Sequence, residues 1–185
     1  MLNYIGDLND AQRDKVDAIC EASNHLNDLI DNILDLAMIE AGRMDLDISD
    51  VDLKTLIEEA VSIGVTNAAD TEVDVIANIE KSLGVIQADE KRIRQILFNL
   101  VSNALRFTDP GGQVTISAER MGDTAKLTVK DDGRGIPAEE QATRFDSFTS
   151  SDRRGAGLGL SLVKHFVQLH GGNVGIKSQP GGGTE

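Results

Sequence analysis

The 185-residue sequence has few aromatic side chains and almost no thiol chemistry. Tryptophan is absent and aromatic residues make up 3% of the chain, so a folded core has to be built from aliphatic side chains. The one cysteine, Cys20, excludes an internal disulfide framework. Because a chain without disulfides is typical of a reducing compartment, we predict a cytoplasmic location.

Positive charge and long apolar segments are also scarce. The formal net charge is −13, which argues against nucleic-acid binding and against docking on anionic lipid, since both need a basic surface. No stretch approaches the roughly 20 apolar residues that a membrane span requires, and no signal peptide is visible. We therefore predict no nucleic-acid partner and no direct membrane contact from this chain, while a membrane anchor elsewhere in a longer parent protein stays open.

The first part of the chain reads as one long helix over residues 9–42. Asn9 or Asp10 can cap its start, and Gly42 marks its end. Its apolar residues follow alternating steps of three and four, a seam that buries itself against another helix. We therefore predict a homodimer through this helix, with packing on the chain's own globular part as the alternative. The seam consists of Val16, Ile19, Ser23, Leu26, Ile30, Ile33 and Ala37.

From Met44 onward the periodicity alternates between strand and helix. The pattern predicts strands over 44–48, 73–77, 114–118, 127–129 and 174–176, and helices over 53–65, 89–107 and 157–169. Asp89 is expected to cap the middle helix, and residues 131–156 read as loop. We predict an α+β fold, with a mixed sheet covered by helices on one face.

Three short motifs carry the chemistry, and the first lies on the predicted middle helix. Asn99 and Asn103 are spaced i, i+4 and therefore share one helix face. An amide oxygen is a hard neutral ligand that suits Mg²⁺, which keeps its other positions for waters and phosphate oxygens. Taken alone, this pair is more typical of asparagines satisfied by neighbouring backbone.

The second motif, at residues 131–136, follows a predicted strand. The Asp131 carboxylate can accept a hydrogen bond from an exocyclic amino group such as N6 of adenine, while Gly133 and Gly135 let the backbone approach a flat ring. A simple Asp-Gly turn is the structural alternative. The run also matches a dinucleotide fingerprint, but Asp152 lies in a loop instead of ending a second parallel strand, which disfavours that reading.

The third motif, at residues 155–160, opens the last predicted helix. Gly155, Gly157 and Gly159 would expose backbone N–H groups at a helix N-terminus, where phosphates bind. Basic residues near this motif and the first one, namely Arg106, Arg153 and Arg154, could contact phosphate oxygens. The histidines have no metal-ligand or triad spacing and are interpreted as structural: His25, His165 and His170.

In this order and spacing, the motifs resemble those of the ATP-binding catalytic domain of sensor histidine kinases, a fold shared with the gyrase, Hsp90 and MutL ATPases. The short lid and the third motif further resemble alphaproteobacterial cell-cycle kinases of the DivL type. Residues 99–108 resemble the N box, 131–136 the G1 box, 145–148 the F box and 155–160 the G2 box. The resemblance implies a two-layer α/β sandwich over residues 44–185, lacking its final strand, preceded by part of a dimerisation region over 1–43.

The resemblance also implies a site and its ligands. Asn103 would bind Mg²⁺, Asp131 would read adenine, and Asn99 replaces the glutamate that activates water in gyrase- and Hsp90-like ATPases, which favours phosphoryl transfer over hydrolysis. The implied ATP-binding set is Asn99, Asn103, Arg106, Phe107, Asp131, Gly133, Gly135, Ile136, Arg153, Arg154, Gly155, Gly157, Leu158 and Gly159.

The implied function is transfer of the γ-phosphoryl group of ATP to a histidine, which then phosphorylates a response regulator receiver domain. The phosphoacceptor motif of the family is absent from this sequence, so no catalytic acceptor residue is assigned and the chain alone is not expected to autophosphorylate. The F box also lacks its usual proline, and Thr149 stands where a basic residue is usual. A pseudokinase scaffold that dimerises and binds a response regulator is therefore the alternative.

Overall fold

The computed structural model describes residues 8–68, 72–146 and 157–185. The chain divides into two compact units, Met1–Arg43 and Met44–Glu185. Among the described residues, no helix combines the length and the apolar character needed to cross a bilayer.

The first unit contains one long helix, α1 (Asp10–Glu40). Asn9 caps it, because its side chain accepts the N–H of Gln12 at 2.9 Å while the Gln12 side chain accepts the N–H of Asn9 at 3.0 Å. The predicted helix and cap are confirmed. The apolar side chains of the seam are exposed, with 65% of Ile19 and 57% of Leu26 accessible to solvent.

The second unit contains two sheets and four helices within its described residues. In the larger sheet, of order β2-β4-β5, β2 runs parallel to β4 and β5 runs antiparallel to it, while β1 and β3 form a separate antiparallel pair. The elements are β1 (Ser49–Asp52), α2 (Leu53–Ala68), β2 (Asp74–Ile79), β3 (Val85–Ala88), α3 (Glu90–Phe107), β4 (Gln113–Met121), β5 (Thr124–Asp131), α4 (Ala138–Gln141) and α5 (Gly159–Leu169).

The core lies between the larger sheet and the helices α2 and α3. Alternate residues of β4 are buried, with Val114 and Ile116 fully inaccessible to solvent. The facing side of α3 follows the helical period, as the sequence predicts. The predicted mixed sheet with helices on one face is thus confirmed. The buried residues of α3 are Ile93, Ile96, Leu97, Val101 and Ala104.

Two predicted strands are wrong. Residues 44–48 alternate in hydropathy but form no strand, because the Asp47 N–H donates to the Asp89 carboxylate at 3.0 Å and β1 begins only at Ser49. Residues 174–176 also lack strand pairing, which begins at Lys177 through backbone bonds of 2.7 and 2.8 Å with Glu185. Alternation predicts a strand only where a neighbouring strand offers backbone partners.

The boundaries around the third motif differ from the prediction as well. Helix α5 begins at Gly159, two residues later than expected, because Gly157 has a φ of +67° that no helix accommodates. Within the stretch predicted as loop, residues Ala138–Gln141 form one helical turn.

Candidate functional site

Asn99 and Asn103 lie on the same side of α3, as their spacing predicts. The Nδ2 group of Asn103 donates a hydrogen bond of 2.8 Å to the backbone carbonyl of Asn99. This bond fixes the orientation of the Asn103 amide. One of the two N–H groups of Nδ2 is thereby engaged, and the oxygen Oδ1 is a suitable atom for a metal ion.

The Asn99 amide lies against the first residue of α5. A Cβ atom placed on Gly159 would lie 3.1 Å from Asn99 Oδ1. The Nδ2 group of Asn99 is buried and has no hydrogen-bond partner among the described residues. A buried donor without a partner costs about 1–3 kcal/mol, so this position is chemically suited to an acceptor atom of a ligand. We call Asn99, Asn103 and Gly159 the Asn99 face.

Asp131 ends β5 and is 8% exposed. Its Oδ1 atom accepts the N–H of Gly133 at 3.0 Å. Burial raises the pKa of the Asp131 carboxyl, and hydrogen bonds from the backbone N–H groups of Gly133 and Thr184 act in the opposite direction. A carboxylate taken out of water in this way is a strong acceptor for an amino group. We call residues 131–136 the Asp131 loop.

Phe107 connects the end of α3 to the Asp131 loop. A Cβ atom on Gly133 would lie 2.0 Å from the Phe107 carbonyl oxygen, so only glycine permits this approach. The Arg134 guanidinium lies 4.6 Å from the centroid of the Phe107 ring, and that of Arg106 lies 5.3 Å from it. Phe107 and Gly133, both predicted site residues, are therefore in direct contact.

The C-terminal turn, residues 178–184, holds the Asp131 loop from the other side. The Ile136 N–H donates to Ser178 Oγ at 2.8 Å, and the Gly181 N–H donates to the Arg134 carbonyl at 2.7 Å. Gly135 has a φ of +67°, and a Cβ atom there would lie 1.9 Å from the Gln179 carbonyl oxygen. The predicted glycine therefore has a structural requirement in addition to its proposed role beside a ring.

Sequence reasoning missed the contribution of Ser178 and of Gln141. The Gln141 side-chain Nε2 group donates to the carbonyl oxygens of Ile136 and Ser178, at 2.8 and 2.9 Å. The only sequence signal for this arrangement is the glycine run at 181–183. Gly183 has a φ of +78° and its backbone lies against the Asp131 carbonyl, which marks the point where the turn meets the loop.

The remaining predicted residues are placed as follows. Arg106 is exposed in the last turn of α3, and Leu158 is 2% exposed, so its side chain belongs to the core. The lid and the second half of the F box lie outside the described residues, as do Arg153, Arg154 and Gly155. The phosphate contacts expected of those three residues stay predictions.

Known proteins resemble this chain in sequence and fold. Residues 88–185 match the family described as histidine kinase-, DNA gyrase B- and HSP90-like ATPases. The chain is 42% identical over 184 residues to the sensor protein DivL of Caulobacter vibrioides, a match that covers 100% of this chain and 24% of DivL. It is 41% identical over 187 residues to the circadian input-output histidine kinase CikA of Synechococcus elongatus, covering 97% of this chain and 25% of CikA.

Among solved structures, full-length ShkA in complex with AMPPNP superposes with a TM-score of 0.83 at 31% identity, covering 97% of this chain and 38% of ShkA. The chain spans about a quarter of the length of DivL and CikA, at 24% and 25%. The predicted resemblance to sensor histidine kinases, including the DivL type, is confirmed. The match contains both the Asn99 face and the Asp131 loop, and the chain belongs to the histidine kinase-, DNA gyrase B- and HSP90-like ATPase family.

Proposed function

We propose that this chain is the catalytic portion of a sensor histidine kinase, which binds ATP with Mg²⁺ and presents the γ-phosphoryl group to a histidine on a helix outside this chain. The observation that carries the proposal is the buried Asn99 Nδ2 donor, which has no partner among the described residues and lies beside the start of α5. A helix N-terminus also offers its own free N–H groups to anionic oxygens. The Asn99 Nδ2 group and the free N–H groups of the helix both need an acceptor atom, such as a phosphate oxygen.

The Asp131 loop would hold the base. The Asp131 carboxylate would accept a hydrogen bond from the adenine N6 amino group, and Gly133 and Gly135 would keep side chains away from the ring. Phe107 packs directly beneath Gly133, so the end of α3 supports this part of the site. ATP is favoured over a nucleotide with an exocyclic oxygen at this position, because two acceptors facing each other would repel.

The Asn99 face would hold the phosphates and the metal ion. Asn103 would contribute its Oδ1 atom to Mg²⁺, whose remaining ligands would be phosphate oxygens and water. Bound Mg²⁺ supplies charge neutralisation to the transferring phosphoryl group. The orientation of the Asn103 amide, held by its bond to the Asn99 carbonyl, fits that role. Arg106, Arg153 and Arg154 are proposed to contact phosphate oxygens.

The residue at position 99 bears on the reaction class. An asparagine amide cannot take a proton from water, so the chain lacks a general base at the position where hydrolysing relatives carry glutamate. The proposed reaction is therefore transfer to a protein acceptor. The partners we propose are a second copy of the chain, through the exposed seam of α1, and a response regulator receiver domain, in the cytoplasm.

A pseudokinase scaffold is the second candidate function. The exposed seam of α1 would support dimerisation whether or not nucleotide binds. In a scaffold, the receiver domain would bind a dimer that transfers no phosphoryl group. The two functions differ in whether the parent protein forms phosphohistidine.

Isothermal titration calorimetry with Mg-ADP tests the nucleotide site. We expect the unchanged chain to bind and Asp131→Asn to weaken binding by about a hundredfold or more, because the amide presents a donor to the adenine amino group. Asp132→Asn is the matched control, since the Asp132 carboxylate accepts the N–H of Gln113 at the start of β4, at 2.8 Å. Absence of binding by the unchanged chain at millimolar Mg-ADP would contradict the proposal.

A second measurement separates the kinase from the scaffold. The parent protein is incubated with γ-labelled ATP, and acid-labile label is measured after gel separation. Label that is lost in acid and retained in base supports phosphohistidine formation. Intact Mg-ADP binding without such label would favour the scaffold.

A further inference from the structure

His170 links the end of α5 to the beginning of α3. Its Nε2 atom accepts the backbone N–H of Asp89 at 3.0 Å, and its Nδ1 atom lies 2.7 Å from the carbonyl oxygen of Phe166. The two contacts define the protonation state of the ring, because Nε2 has to be an acceptor and Nδ1 a donor. The structure therefore requires a neutral imidazole with its proton on Nδ1.

The Asp89 side chain connects the start of α3 to the segment before β1. It is the N-cap of α3: its Oδ1 atom accepts the N–H of Arg92 at 3.1 Å, and its Oδ2 atom accepts the N–H of Asp47 at 3.0 Å. Asp89 is 7% exposed, so its own N–H has little access to water. His170 supplies the acceptor for this N–H. Without it, a buried donor at the start of α3 would have no partner of its own.

Further contacts between the two helices show that they run antiparallel in a fixed register. The Arg92 guanidinium lies 4.9 Å from the centroid of the fully buried Phe166 ring, one turn along from the His170 contact. At the far end of α5, Gly159 meets the Asn99 amide. The 11 residues of α5 span about 16 Å, so one contact pair fixes each end of the helix.

Because a helix is stiff along its axis, a slip at the His170 end would be transmitted to the Gly159 end. We propose that His170 is a positioning residue of the nucleotide site, whose neutral imidazole sets the register of α5 against α3 and thereby aligns Gly159 with Asn99. This inference rests on the proposed function, since the site that it aligns is the proposed ATP site. It gives nucleotide binding a dependence on the protonation of one histidine.

The charged groups around the ring define how protonation acts. Asp89, the N-cap of α3, carries the N–H that His170 accepts, and Asp47 donates its own N–H to the Asp89 carboxylate. The Arg92 guanidinium lies over the Phe166 ring, one turn before His170 on α5. Protonation places a hydrogen on Nε2, which then faces the Asp89 N–H donor to donor. The contact is then lost, and we expect nucleotide affinity to fall with it.

The test compares Mg-ADP affinity by calorimetry for three variants between pH 7.5 and pH 5.5. His170→Leu removes the acceptor, and we expect about tenfold weaker binding at pH 7.5. His170→Gln keeps an acceptor that does not titrate, and we expect affinity within about threefold of the unchanged chain. His165→Gln is the control, because the Nδ1 atom of His165 lies 2.7 Å from the carbonyl oxygen of Ser161, within its own helix.

The pH profile distinguishes positioning from a merely structural role. Asp131 and the nucleotide phosphates titrate in every variant, so the ratio of affinities between the unchanged chain and His170→Gln isolates His170. We expect this ratio to fall by about fivefold from pH 7.5 to pH 5.5. A constant ratio would overturn the inference, and so would full affinity in a folded His170→Leu variant.

Nuclear magnetic resonance provides a readout that does not require nucleotide. The amide signals of Asp89 and Gly159 and the ring signals of His170 are followed from pH 7.5 to pH 5.5, with His170→Gln as reference. We expect both signals to move with the imidazole in the unchanged chain and neither in the variant. A Gly159 signal that ignores His170 would overturn the register coupling, whereas failure of Mg-ADP to bind with the coupling intact would count against the proposed function alone.

Discussion

The Asp131 loop and the Asn99 face differ in how far the protein itself satisfies their hydrogen-bonding groups. Backbone and side-chain hydrogen bonds from the C-terminal turn fix the loop, and its glycines leave no room for a Cβ atom. The Asn99 face has one internal hydrogen bond and one buried donor without a partner among the described residues. The loop is thus complete before a ligand arrives, while the face has bonding capacity that a ligand would satisfy.

Gly135→Ala should break the loop and give the largest loss of stability. The added Cβ atom would lie 1.9 Å from the Gln179 carbonyl oxygen, at a φ of +67°. We expect the free energy of unfolding in urea to fall by about 3 kcal/mol or more. Gly122→Ala is the control, because Gly122 has a φ of +63° but no atom within 4 Å, so it isolates the backbone cost. Equal losses would mean that the loop is not closely held.

Ser178→Ala should loosen the same loop by a smaller amount. The substitution removes the acceptor of the Ile136 N–H and the donor to the Gly183 carbonyl, bonds of 2.8 and 2.7 Å. We expect a loss of about 1–2 kcal/mol in urea unfolding, with faster hydrogen exchange at the Ile136 amide. Ser62→Ala on the exposed side of α2 should change neither quantity.

The pH dependence of stability tests whether the buried carboxyl of the loop carries a cost. Because burial raises the pKa of Asp131, the folded state binds a proton more readily than the unfolded state. Asp131 therefore lowers the free energy of unfolding as the pH rises from the usual range of aspartic acid through its raised pKa. We expect thermal unfolding of Asp131→Asn to show a flatter decline over that range. Asp132→Asn should keep most of the decline, because the charge of Asp132 is the smallest of the causes that shift the pKa of Asp131.

Gly159→Ala changes the Asn99 face and should have the smallest effect on stability of the substitutions considered. Alanine favours a helix over glycine by up to about 1 kcal/mol, less at the first position of α5 than in its interior, and this gain offsets the 3.1 Å approach of the new Cβ atom to the Asn99 amide. We expect a change in unfolding free energy within about 0.5 kcal/mol. Mg-ADP affinity should nevertheless fall by about tenfold, because the Asn99 amide has to shift. A large stability loss with unchanged Mg-ADP affinity would contradict the distinction between a loop held by internal contacts and a face that a ligand satisfies.

Local patterns predicted the elements whose signals lie within one segment. The capped start of α1 and the period of α3 follow from short-range chemistry. Contacts between distant segments escaped prediction. The Asp47 N–H donates to the Asp89 carboxylate, and Gly135 lies against the Gln179 carbonyl oxygen. No periodicity in the sequence links these positions.

His170 illustrates the same limit at a single residue. The sequence places it at the end of a helix, where a structural interpretation is reasonable, and nothing nearby indicates that its acceptor serves residue 89. The link between the two positions depends on the antiparallel pairing of α3 and α5, which only the folded chain defines. Sequence reasoning therefore predicts candidate site residues but not the residues that hold them in place.

The parallel pairing of β2 with β4 has a consequence for how the unit folds. Strands that run side by side in the same direction need a long connection, and here that connection contains β3 and α3, the helix that carries Asn99 and Asn103. The sheet cannot close until α3 has crossed over it, so site formation belongs to the slow, cooperative step of folding. A nucleotide bound there would protect the whole unit of residues 44–185 against unfolding, and a partly folded chain would not recognise it.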